Sequence, residues 1–178
     1  LSNSAGAYHL LIASLILNYQ VSRVVCSFPT GAHAYAIRDA VEAGEIDLVI
    51  CPQGVLSERL RAAGSGLGGA LVRTGWGTEL AAGKQVVEVD GVPWILEKPL
   101  SGDFALVSAD HADRWGNLTY RLAQRNFNPG MAWPPPHTLG EARHVVELGD
   151  IAPDAVHTPA VFVQSVVQIP KGHAHAVE

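Results

Sequence analysis

Neutral amides and glycines that follow apolar runs are the residues of this chain best placed to do chemistry. Gln53 comes just after the apolar run Ile46–Ile50, and Asn3 follows the opening Leu1-Ser2. Thr74-Gly75-Trp76-Gly77-Thr78 follows Ala70–Arg73. In open parallel sheets, ligands bind beyond the carboxyl ends of the strands. An Asn or Gln amide there can donate to a carboxylate or a developing oxyanion without being titrated. Locally, Gln53 serves equally well as the cap of the helix after it, and Asn3 as a turn residue. Both readings stand at this point.

Other chemistries find weaker support. Gly64, Gly66 and Gly69 have the spacing of a dinucleotide-binding loop. That loop needs a strand before it and a helix after it, so that the helix N-terminus faces the pyrophosphate. Here the helical pattern precedes the glycines and a strand-like run follows, so the glycines are expected to serve sharp turning and close packing. Eight histidines raise the question of a metal. His173 and His175 lie in the tail without a third ligand, and His33, His111, His144 and His157 are scattered, so no metal site is expected. Ser65 sits in the wrong frame for a nucleophile elbow. The acids Glu42, Glu45, Glu58 and Glu79 fall in or beside helices, where solvated faces are expected. Cys26 and Cys51 each end a β-like run and lack CxxC spacing. Reduced, buried thiols in a cytoplasmic protein are expected, with a disulfide as the alternative.

The elements that must position these residues follow from periodicity. Ala7–Tyr19 carries Leu11, Leu15 and Ile12, Ile16 as i, i+4 pairs and reads as a helix. Arg23–Phe28 is a β-branched run, and Ala34–Ala43 is helical up to Gly44, a favoured C-terminal residue. Ile46–Ile50 reads as a strand covered on both faces, and Val55–Ala63 as a helix closing at Gly64. This alternation implies right-handed crossovers and a parallel sheet. Further on, Gln85–Val89 and Trp94–Glu97 flank Asp90-Gly91, a hairpin signal. Phe104–Ser108, His144–Glu147 and Val161–Ile169 are expected strands, and Pro153–Val156 a helical turn. Asn126–Pro136 is expected to be irregular because of its three consecutive prolines. The expectation is an α/β protein of three layers, whose central, mostly parallel sheet includes Arg23–Phe28, Ile46–Ile50 and Phe104–Ser108.

Composition bounds the function. The chain has 178 residues, 48% hydrophobic and 16% charged, enough for one substantial core. A formal net charge of -5 and the lack of a basic cluster argue against nucleic-acid binding. Leu10–Leu17 is far shorter than the ~20 residues that span a bilayer. No Lys or Arg precedes it and no cleavage site follows, so it reads as a buried helix.

Longer stretches resemble a known family. Cys51-Pro52-Gln53-Gly54-Val55-Leu56-Ser57-Glu58-Arg59-Leu60-Arg61-Ala62-Ala63-Gly64 resembles the PQGTLAERIRAGG segment of family I CoA-transferase A subunits. Thr74–Thr78 is similar to the family's TGxGT loop, Gly83-Lys84 to the GK after it, and Leu96–Leu100 to LExxL. Ala112–Leu118 resembles ADxxGNL, Ala123–Pro129 resembles ARNFNP, His157-Thr158-Pro159 resembles HxP, and Ser2–Gly6 resembles SNNAG. The resemblance covers nearly the whole chain.

The resemblance implies a CoA-transferase-like (Rossmann-like) fold and a 3-oxoacid CoA-transferase A (alpha) subunit that is active only with a B (beta) subunit. In that chemistry a glutamate of the partner attacks an acyl-CoA, and CoA passes to a short carboxylic acid through a glutamyl-CoA thioester. Fixed donors must face the negative charge that develops on the carbonyl oxygens. The resemblance assigns that role to Gln53 and substrate binding to Asn3, Gly54, Gly75, Trp76 and Gly77. It also implies coenzyme A as substrate rather than as a resident cofactor, and two A with two B chains. Residues 1–170 form the expected domain and 171–178 a frayed tail. The family's GGFG segment upstream of Asn3 is not among these residues, nor is a starting Met, so an N-terminal part is expected to lie upstream. Three departures bear on substrate choice or on individual roles: Ser4 replaces the second Asn of SNN, Arg73 and Trp76 enlarge the loop around Gly75, and Trp133–Pro136 breaks a small-residue run. Alternatives are a CoA-thioester hydrolase on the same scaffold and a non-catalytic scaffold subunit.

Overall fold

The computed structural model describes residues 2–4, 12–29 and 35–170, with side chains described from residue 12 onward. The tail 171–178, the first part of the expected Ala7–Tyr19 helix, His33 and the Asn3 side chain lie outside the described residues. The chain divides into two compact units, one built on Leu1–Glu58 and Leu71–Glu97, the other on Arg59–Ala70 and Lys98–Val177.

The first unit is organised by strand β2 (Arg23–Phe28), which pairs in parallel with β1 (Ser2–Ser4) on one side and β3 (Asp47–Ile50) on the other. Val24 and Cys26 point from β2 into a core shared with Ala13 and Ile16 of α1 (Ile12–Leu17). Ala36, Ile37 and Ala40 of α2 (Tyr35–Glu42) complete it at helical spacing. Ile37, 2% exposed, contributes roughly 1.5–3 kcal/mol by burial. After α2 the chain reverses at Gly44 (φ 73°), where Gly44 N–H donates to the Val41 carbonyl and Glu45 N–H to that of Ala40. Helix α3 (Gln53–Gly64) follows β3 after only Cys51-Pro52.

A second sheet has the order β4 (Ala70–Val72), β6 (Val92–Glu97), β5 (Val86–Val89). The antiparallel β5–β6 hairpin turns at Asp90 (φ 53°) and Gly91 (φ 73°). Two successive positive φ values make the tight turn that matches strand twist, as the Asp-Gly pair predicts.

The second unit carries the order β10 (Ser165–Gln168), β9 (His137–Val146), β7 (Phe104–Asp113), β8 (Leu118–Thr119). β10–β9 and β9–β7 pair in parallel, and β7–β8 in antiparallel fashion. The α/β class and the prevalence of parallel pairing hold. The expected grouping does not: Phe104–Ser108 pairs with β9 and belongs to a different sheet from β2 and β3.

Element boundaries differ as well. β7 runs on to Asp113 and β9 begins at His137, because each satisfies the backbone of the other over the whole length. Five residues of the Pro-rich segment form helix α4 (Asn128–Ala132), with Pro129 in the first turn, where a missing N–H costs nothing. Val161–Ile169 is a strand only over Ser165–Gln168, preceded by a 3₁₀ turn. The core of this unit is rich in alanine (Ala105, Ala109, Ala112, Ala132, Ala142) around Leu118 and Tyr120, which lets α4 lie close on β7. Among the described residues no helix is long and apolar enough to cross a membrane.

Candidate active site

The parallel register of the first sheet puts the ends of β1, β2 and β3 on one edge. Ser4 is level with Phe28, and Cys26 with Ile50. Asn3 in β1 and Gln53 just beyond β3 therefore share the carboxyl-terminal edge of one sheet. Cys51 N–H still donates to the Cys26 carbonyl at 2.9 Å, so the ladder holds up to the residue before Pro52. Leu56 N–H then donates to the Pro52 carbonyl at 2.8 Å. Pro52 thus takes the cap position, and Gln53 the first helical one. Gln53 is exposed there, beside the N–H groups of a first turn that lack intrahelical acceptors. A Cβ added at Gly54 would meet nothing within 4 Å among the described residues.

Gly75 and Gly77 are glycines by backbone necessity, with φ of 88° and 75°. A Cβ at Gly75 would also stand 3.1 Å from Leu80 Cβ. The loop closes on itself: Trp76 N–H donates to the Arg73 carbonyl, and the Thr78 hydroxyl donates to the Gly75 carbonyl at 2.7 Å while accepting from Leu80 N–H at 3.3 Å. Trp76 is 42% exposed. This loop follows β4 in the second sheet of the unit that also contains Asn3 and Gln53. Its two flanks are tied to β6. Lys84 Nζ lies 2.5 Å from the buried Glu97 Oε1, and the Arg73 guanidinium lies over the Trp94 ring, 5.9 Å from its centroid. Composition and spacing did not reveal this pairing. The signal was the resemblance of Gly83-Lys84 and Leu96-Glu97 to family motifs, which here carry the two halves of one ion pair.

The remaining motifs build a polar frame in the second unit. Asp113, 4% exposed, accepts from the N–H groups of Trp115, Gly116 and Asn117 at 2.9–3.0 Å and from Asn117 Nδ2 at 2.8 Å. Asn117 Oδ1 accepts in turn from Ala160 N–H. Tyr120 O–H and Thr158 Oγ1 lie 2.7 Å apart, and burial pushes the tyrosine pKa up to about 12. His157 Nδ1 accepts from Tyr120 N–H at 2.9 Å, and its pKa is lowered, first by burial and then by Arg125. Asn128 Oδ1 accepts from Ser108 N–H, and Asn128 Nδ2 donates to the Gln124 carbonyl. Residues of the ADxxGNL-, ARNFNP- and HxP-like stretches thus hydrogen-bond with one another and with β7 in this unit.

Gly64 is required sterically, since a Cβ there would fall 2.6 Å from Trp133 Cβ, and Gly66 turns the chain at φ 68°. This agrees with the packing role read for the glycine triplet. Cys26 and Cys51 are buried and not joined in a disulfide, and burial raises the Cys26 pKa. His111 and His144, scattered in sequence, face each other across β7 and β9 with ring centroids 4.9 Å apart. Among the described residues no group of three or more side chains could hold a metal ion. A shallow hollow of about 240 Å³ in the second unit is lined by Arg114, Trp115, Val163 and Gln164, among others. Gln164 Oε1 already accepts from Thr138 N–H there, and no predicted site residue lines it.

Residues 1–168 match the family model described as coenzyme A transferase. The chain is 45% identical over 177 residues to the A subunit of 3-oxoadipate CoA-transferase from Pseudomonas putida, covering 99% of this chain and 77% of that one. It is 42% identical over 156 residues to the alpha subunit of acetate CoA-transferase from Escherichia coli K12, covering 88% of this chain and 70% of the relative. Its fold is similar to that of a glutaconate coenzyme A-transferase from Acidaminococcus fermentans, with a TM-score of 0.79 and 19% identity over 97% of this chain and 62% of that one. At that identity the likeness speaks for the fold alone. With the family model matched from the first strand to the last, this chain belongs to the coenzyme A transferase family and aligns along nearly its whole length with A-type subunits.

Proposed function

We propose that this chain is the A subunit of a heteromeric 3-oxoacid CoA-transferase, and that Gln53 faces the reacting carboxylate of its partner. The observation that carries this reading is the position of Gln53: exposed at the first turn of α3, immediately beyond the carboxyl edge of a parallel sheet, in a family whose chemistry needs such donors. In the proposed cycle the B-subunit glutamate attacks the acyl-CoA carbonyl and the CoA thiolate leaves. The thiolate then attacks the glutamyl carbonyl of the mixed anhydride, releasing the first acid and leaving a glutamyl-CoA thioester. A second carboxylic acid runs the two steps in reverse, which regenerates the glutamate. Each attack places negative charge on a carbonyl oxygen, and a fixed amide donor is worth ~10²–10³ in rate there. Asn3, Gly54 and the Gly75–Gly77 loop with Trp76 are the proposed substrate-binding elements.

The assembly we propose has two A and two B chains in the cytoplasm, with residues 1–170 acting as one subunit domain. Coenzyme A is substrate, with no resident cofactor. The relatives bear the names of A or alpha subunits, which supports the partner. The test is mass balance in the presence of the B subunit. The donor's CoA should reappear in a new thioester, and the chain alone should be inactive. Release of free CoA with no new thioester would assign the hydrolase reading instead.

A further inference from the structure

The Arg73 head group is exposed, and among the described residues no carboxylate lies within ion-pair distance of it. The setting is a chain of net charge -5 in which Arg23, Arg38 and Arg114 all have acidic partners at 3.1 Å or less. The Arg73 guanidinium instead lies over the Trp94 ring, 5.9 Å from its centroid, a weak cation–π contact. The Trp94 Nε1 is buried and has no hydrogen-bond partner among the described residues. A guanidinium over an aromatic face still has N–H groups to offer a planar anion. Arg73 also opens the turn that carries Gly75, Trp76 and Gly77, since its carbonyl accepts from Trp76 N–H.

We infer that Arg73 is a specificity-determining residue that reads the second carboxylate of a dicarboxylic 3-oxo acid whose first carboxylate takes up CoA. The inference rests on the functional reading above and deepens it by naming the substrate class. An arginine–carboxylate pair discriminates by both charge and planar geometry. A charge-assisted pair of this kind corresponds to about 10- to 100-fold in affinity.

The experiment uses the chain assembled with its B subunit, with 3-oxoadipate and 3-oxohexanoate as acceptors of equal length that differ in the distal carboxylate. The parent enzyme is expected to prefer 3-oxoadipate. In Arg73→Met the kcat/KM ratio between the two acids should fall about 10- to 100-fold, with the loss carried by a higher KM for the dicarboxylic acid. Arg73→Lys, which keeps the charge and loses the fork, should recover part of it. An unchanged ratio in Arg73→Met, or a parent enzyme without the preference, overturns the role of Arg73 and leaves the transferase reading intact. A parent enzyme that makes no thioester from either acid overturns the transferase reading, and this inference with it.

Discussion

Replacing Asp113 tests the polar frame that the second unit is built on. Its carboxylate is 4% exposed and receives four hydrogen bonds within one turn, three from backbone N–H groups and one from Asn117 Nδ2. Asp113→Ala removes the carboxylate acceptor from all four donors at once. The Trp115 and Asn117 N–H groups are part-buried and can turn to water, and the buried Gly116 N–H keeps the Asp113 backbone carbonyl, 3.1 Å away, as its acceptor. Lost bonds to a charged acceptor cost about 1.5–3 kcal/mol each before water compensates. With the part-buried donors rehydrated and Gly116 still bonded to the main chain, the net loss should be about 2 kcal/mol. Asp113→Asn keeps the oxygen that serves the three backbone groups but turns an N–H toward Asn117 Nδ2, so about 1–2 kcal/mol is expected. Urea denaturation of both variants beside the parent chain measures the two values. An Asp113→Ala chain within about 0.5 kcal/mol of the parent, the range of an ordinary surface substitution, would refute the reasoning.

Gln53→Ala, assembled with the B subunit, should lose roughly 10²-fold or more in turnover with its melting temperature nearly unchanged. Near-normal turnover would remove Gln53 from the site. Gly77→Ala should cost about 1–2 kcal/mol for its left-handed backbone alone. Gly75→Ala should cost more, because its Cβ also meets Leu80; equal losses in denaturation would mean that this contact relaxes freely. The lowered pKa of His157 favours its neutral form in the folded chain, where Nδ1 accepts from Tyr120 N–H. Its contribution is therefore complete above the ordinary histidine pKa of about 6.5 and is lost as pH falls through the lower folded-state value. His157→Asn, which keeps an acceptor that does not titrate, should flatten the acid limb of melting temperature against pH. An identical profile in variant and parent would exclude this group.

Legibility in the sequence tracked how local each interaction is. β2, α2, β3, α3 and the Asp90-Gly91 hairpin were readable because apolar spacing and turn residues act over a few positions. β7 beyond Ser108 was not readable. Ala109, Asp110, His111, Ala112 and Asp113 have poor strand propensity and are extended because β9 lies beside them. The same non-local pairing decides the start of β9, where His137 and Thr138 follow three prolines. Gln53 was legible as a strand-end amide. Its place at the first helical position rather than at the cap needed the Leu56–Pro52 hydrogen bond. The pairing of Arg73 with Trp94 was out of reach, since it depends on β4 lying beside β6.

The long register between β7 and β9 also has a consequence for how the chain folds. Phe104 pairs with His137 and Asp113 with Val146, so no step of this ladder can start from a neighbouring turn. The Asp113 turn, β8 and α4 all lie between the two strands and form from local contacts. By contrast, the β5–β6 hairpin needs only its own turn and belongs to a class of event that takes about 1–10 μs. As the chain leaves the ribosome, β7 must therefore wait with an open edge until the residues of β9 have been made. β10 arrives later still and covers the other edge of β9. Newly made second units should for that reason be more prone to aggregation than first units, and slower synthesis through residues 114–136 should lengthen the exposure rather than relieve it.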